Sequence, residues 1–153
     1  MNRLVLSLLA AALLLPATSA SAQDPNAGNP IMHSFGAISA QALYTTYMAV
    51  AELGDLYAHK AYDKDKTIQV ATSYVKFAEG AKESLSDLVA SGKLNTEDEG
   101  FVNQSIIVND LLGKTAQALI EVATSPTDET KAAFEKNRQK SWKALSKMLG
   151  IEE

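Results

Sequence analysis

The chain has 153 residues, 46% hydrophobic and 21% charged, with 14 Lys and Arg against 18 Asp and Glu and no Cys. That length suits one domain, and the acidic balance argues against nucleic acid, because no basic excess exists to neutralise phosphates. Without Cys there is no disulfide, thiolate metal site, Cys nucleophile, CxxCH haem attachment or lipid-modified N-terminal cysteine.

The first 22 residues have the layout of an export signal. Arg3 supplies a positive charge, residues 4–15 form an apolar run, Pro16 breaks it, and Ala20-Ser21-Ala22 is a small-x-small cleavage site. The run is too short to be a membrane anchor, since a span needs about 20 apolar residues. Cleavage is therefore expected after Ala22, giving a bacterial periplasmic or secreted protein that is not embedded in a membrane. Residues 23–30 (QDPNAGNP) read as a flexible leader, and residues 31–153 as the folded domain.

Three short breaks divide that domain into four helical stretches. The first is expected to begin at Ile31 or Ser34 and to run to Tyr62. At about 100° per residue, Phe35, Ile38, Ala42, Ala49, Leu53 and Leu56 share one side, and Leu43, Val50 and Tyr57 widen the apolar arc. The second, over residues 65–91, sets Ile68, Ala71, Val75, Ala78, Leu85 and Val89 on one side. Asp63 or Asp65 can cap its start, and Gly92 can end it.

The third stretch opens with Asn95-Thr96-Glu97-Asp98-Glu99, where Thr96 and Glu99 have capping-box spacing and the carboxylates suit the positive end of the helix dipole. Phe101, Ser105, Val108, Leu112, Ala116 and Leu119 form its inner face. The fourth follows Ser125-Pro126, a cap and a first helical position. It is expected to bury Phe134, Trp142, Leu145, Met148 and Leu149 and to stop at Gly150. Nothing reads as a strand. With turns near residues 63–66, 92–95 and 124–126, the pattern predicts an all-α, up-down-up-down antiparallel four-helix bundle.

Helical bundles often carry haem or metal, and the residues can be tested against both. Both histidines, His33 and His59, fall in or beside the first helix, so a Met/His haem clamp between the first and last helices is not available. No Glu-x-x-His pair occurs, which removes the di-iron carboxylate pattern. A weaker metal candidate is the first-helix stripe of Glu52, Asp55 and His59, with Asp55 and His59 at i and i+4. A solvated polar face explains the same residues. No nucleophile motif such as GxSxG and no Gly-rich phosphate loop is present. Neither an enzyme nor a bound cofactor is expected.

Two features remain as binding candidates. Arg138 falls in the apolar arc of the fourth helix, and register counting places Glu52 and Asn109 in the same layer. That layer could be an anion pocket or an internal ion pair fixing register. Tyr44, Met48 and Tyr62 lie near one angle on the first helix and could form, with Tyr47, a face for a partner or a second copy.

The ending Arg138, Trp142, Leu145 resembles that of other small exported bacterial bundles, which implies helix packing and no activity. The Leu-Thr-x-x-Gln signature of the periplasmic stress chaperones is absent. The expectation is a non-enzymatic exported interaction or binding module, monomeric or homodimeric, for a protein or small molecule. The alternative is a metal- or small-ligand carrier using the Glu52/Asp55/His59 stripe or the Arg138 layer.

Overall fold

The computed structural model describes residues 30–151. The export signal expected over residues 1–22 and residues 23–29 of the leader lie outside the described residues. Four helices follow one another: α1 (Pro30–Ala58), α2 (Lys64–Ala90), α3 (Thr96–Thr124) and α4 (Asp128–Leu149). No strand occurs among the described residues, and the all-α four-helix bundle is the architecture observed.

The helix ends follow local chemistry. Asp63 caps α2 by accepting the Lys66 main-chain N–H at 2.8 Å. Asn95, rather than Thr96, caps α3 through the Asp98 N–H. The α4 cap is Thr127 and not Ser125, because Thr127 and Thr130 satisfy each other's main-chain N–H reciprocally. That box starts the helix two residues after Pro126.

The largest boundary difference is at the end of α1, which stops at Ala58, four residues short of Tyr62. Lys60 adopts a left-handed conformation with φ 61°. Its N–H reaches Tyr57 O at 3.0 Å, and the Ala61 N–H reaches Leu56 O at 2.9 Å. That pair of bonds is a Schellman turn, with Lys in the position glycine usually fills.

α3 is the central helix. Its buried residues include Val102, Ser105, Val108, Asn109, Leu112, Ala116 and Leu119, spread over most of its circumference, which fits a helix covered from several sides. α2 and α4 flank it, and no Cα of α2 comes within 8 Å of α4. α1 lies against α3 between them. The α2–α3 approach is close because small residues meet there: a Cβ added at Gly113 would stand 3.3 Å from the Ala78 Cβ. Leu43, Tyr47, Val108, Leu112 and Leu145 form one core cluster, and Leu53, Ala71, Leu119 and Val122 form another.

Candidate functional site

The first candidate site is the edge where α1 meets α4. Ser141 and Leu145 point fully into the bundle, and Ser141 shares a 2.8 Å hydrogen bond with Thr115 of α3. Trp142 is rotated about 100° from Ser141, so it falls at the rim of the buried arc. It is 37% exposed rather than part of the core. Its ring packs on Tyr47 with centroids 5.2 Å apart and tilts against Tyr44 at 6.5 Å. Tyr44 and Met48 are themselves 41% and 47% exposed. An aromatic and thioether surface thus runs across both helices.

Arg138 borders this edge, and its partner differs from the expected one. Its guanidinium donates to both Glu135 carboxylate oxygens, at 2.8 and 2.9 Å. It also lies beside the Tyr47 hydroxyl. Glu135 accepts a further bond from Gln139. The Arg138 hydrogen bond holds the Glu135 carboxyl below its usual range, and the same bond raises Arg138.

Glu52 is exposed and is not in this pairing. Asn109 donates to Ser105 O within α3 and opens toward α2, beside Ala78 and Lys82. The expected Arg138–Glu52–Asn109 layer is therefore not assembled. A neighbour three residues away on its own helix satisfies Arg138 without reaching across the bundle.

The first-helix acidic stripe stays open as well. Glu52, Asp55 and His59 are all exposed. The His59 Nδ1 lies 2.8 Å from the main-chain oxygen of Asp55, not from a carboxylate. Among the described residues no three His, Cys, Asp or Glu gather as a possible metal cluster. Tyr62 departs from the Tyr44–Met48 face entirely. The Schellman turn ends the helical progression at Ala58, and Tyr62 is half-buried against the Leu53–Leu119 cluster instead.

Sequence reasoning missed two features. Asp110 of α3 bridges Lys82 of α2 and Lys114 of its own helix, the latter at 2.6 Å. Its carboxyl is lowered first by the Lys114 hydrogen bond and then by Lys82. The i,i+4 spacing of Asp110 and Lys114 was the available signal. The other is a cleft between α1 and α2, bordered by Thr46, Lys66, Val70, Tyr74 and Phe77.

No family model, curated protein or solved structure matches the chain. Among the described residues every buried side-chain nitrogen or oxygen has a hydrogen-bond partner, and no helix is long and apolar enough to cross a membrane. What the α1–α4 edge offers chemically is aromatic contact area rimmed by hydrogen-bonding groups.

Proposed function

We propose that the protein is an exported, non-enzymatic interaction module that docks a protein partner on the α1–α4 edge. The observation that carries this reading is the ring contact of Tyr44 with Trp142 across the two helices, with Met48 one turn along α1 from Tyr44 and all three more than a third exposed. Aromatic residues, Met and Arg are the types enriched where proteins bind one another, and Trp, Tyr and Arg most often dominate the energy. Arg138, Glu135 and Gln139 supply a polar rim whose charges are already paired. Such a rim costs less to desolvate than isolated charges.

The export half of the reading rests on the residue 1–22 pattern alone. The carrier alternative has less support, because neither the Glu52/Asp55/His59 stripe nor the Arg138 layer converges on a common point.

The experiment is site-specific photocrosslinking from position 48 in the exporting cell, with mass measurement of the adduct. A discrete adduct with another protein, lost on Trp142→Ser, is expected. A self-adduct would make the edge a homodimer interface, and no adduct above that of a control position on the outer side of α2 would sink the proposal. Intact mass of the exported protein should begin at Gln23; a retained Met1 in the soluble fraction would remove the export claim.

A further inference from the structure

α2 carries a second apolar stripe, distinct from the one that meets α3. Ala71 and Ala78 are buried, and Ala78 faces Gly113. Val70, Tyr74 and Phe77, at i, i+4 and i+7, lie along another side of the helix. Val70 and Tyr74 are half-buried against the Leu53–Leu119 cluster, whereas Phe77 is 54% exposed. With the buried Thr46 of α1, these residues line a cleft of about 570 Å³ between α1 and α2. That volume lies in the range of about 300–1,000 Å³ typical of small-molecule sites. The cleft opens on the opposite side of α1 from Met48, since positions 46 and 48 differ by about 200° around a helix.

Charge in the lining is one-sided. Lys66 is its single charged residue, and among the described residues no ion pair holds its ammonium. The nearby Asp63 carboxylate is occupied in capping the helix through the Lys66 main-chain N–H. Asp65 is the other acid of that first turn and is not in the lining. From Lys66 to Phe77 the stripe extends over three helical turns, roughly 16 Å at the ordinary rise per residue. The geometry is a long trough, apolar along Val70, Tyr74 and Phe77, edged by the polar Gln69 and Ser73, with a cation at one end.

We infer that this cleft binds an elongated amphiphile ending in a carboxylate, of the medium-chain fatty-acid type. Its hydrocarbon chain lies along Val70, Tyr74 and Phe77, and its carboxylate pairs with the Lys66 ammonium. A neutral chain of equal length gains the apolar contact without the ion pair. A cationic chain meets like charge at the same end.

The test is titration of the purified chain with decanoate, decanol and decyltrimethylammonium below their micelle concentrations, followed by backbone amide NMR shifts. Decanoate is expected to move Thr46, Val70, Tyr74 and Phe77 and to leave Trp142 unmoved. Lys66→Gln should weaken decanoate about twofold to fivefold, the range of an exposed ion pair, and leave decanol unchanged. Phe77→Ala should weaken both. Both positions are exposed, and circular dichroism of each variant checks that the helices persist. Absence of decanoate shifts, equal binding of the cationic chain, or shifts centred on Tyr44 and Trp142 would each overturn the assignment. The last result would leave the α1–α4 docking proposal standing while removing this one.

Discussion

The α2–α3 pairing and the α1–α4 edge belong to the same bundle but are built on different physical terms. Between α2 and α3, Ala71, Ala78 and Gly113 let the backbones approach until a single added methyl would press on its neighbour. At the α1–α4 edge the contacts are made by large rings, Tyr44, Tyr47 and Trp142, and two of the three stay partly in water. The contrast extends along α1, whose first buried residue is Leu43, with Ile31 and Ile38 68% exposed or more before it. Small residues at close range give rigidity and leave nothing to recognise. Large residues at a rim give less stability and a surface with binding capacity.

The largest expected effect tests that contrast directly. Leu112 is fully buried in the cluster with Leu43, Val108 and Leu145, so Leu112→Ala should cost about 2–5 kcal/mol. Trp142→Ala should cost less, about 1–2 kcal/mol, although Trp is the larger side chain. Part of its ring is already solvated, and the lost ring contacts are worth about 0.5–1.5 kcal/mol. Denaturant titration of both variants decides it. Equal losses would mean that the edge is core and not a docking face.

An effect comparable to that of Trp142→Ala is expected where α4 reaches the lower half of α1. A Cβ at Gly54 would sit 2.8 Å from the Phe134 Cζ, so Gly54→Ala overpacks a ring contact. Alanine's better helix propensity offers up to about 1 kcal/mol in return. The net loss should still be about 1–2 kcal/mol, since overpacking typically costs 1–3. Phe134→Leu, which shortens the obstructing group, should recover much of the loss in a double-mutant cycle. Additive losses would show that Phe134 is free to swing away.

These two regions were unequally legible in the sequence. The four helices followed from apolar repeats near 3.6 residues and from caps at Asp63, Gly92 and Gly150, all local signals. Angular reading of α3 found Val108, Leu112 and Leu119 correctly, because a helix covered on many sides tolerates error in the arc. The same reading misjudged Trp142, where a rotation of one residue separates the core from the rim. It also gave α2 one apolar face when it has two, since periodicity does not say how many neighbours a helix has. Arg138 and Tyr62 went astray for separate reasons. Glu135 was a nearer partner than Glu52, and the left-handed Lys60 ended the helix that Tyr62 was counted on.

Electrostatics provides a third separation between the regions. Asp110 ties α2 to α3 through Lys82 and Lys114, and its carboxyl is held below the ordinary 3.8. A depressed carboxylate contributes stability that is present above its unfolded value and lost as pH falls through the folded one. The group is partly exposed, so solvent screening limits the contribution to about 1 kcal/mol or less. Asp110→Asn should therefore lower stability slightly at pH 7. The gap from the native chain should narrow as the pH falls below the ordinary carboxylate range and close once the carboxyl is protonated in both states. A gap that did not narrow at all on acidification would assign the loss to packing rather than to charge.

The smallest effect lies at the turn joining the two regions. Lys60 stands at φ 61°, a conformation that costs a residue with a Cβ roughly 1–2 kcal/mol and glycine almost nothing. Lys60→Gly removes that cost but gives the unfolded chain more freedom, which takes back about 0.5–1 kcal/mol. A net stabilisation of about 0.5 kcal/mol is expected, read from the denaturation midpoint with an unchanged slope. The same substitution should slow amide exchange at Lys60 and Ala61, whose N–H groups close the Schellman turn on Tyr57 and Leu56. Lys60→Ala keeps the Cβ and so retains the strain, and it should show neither change. If alanine stabilised the chain as much as glycine, removal of the lysine charge would be the cause, and the strained turn would contribute nothing to how α1 is joined to α2.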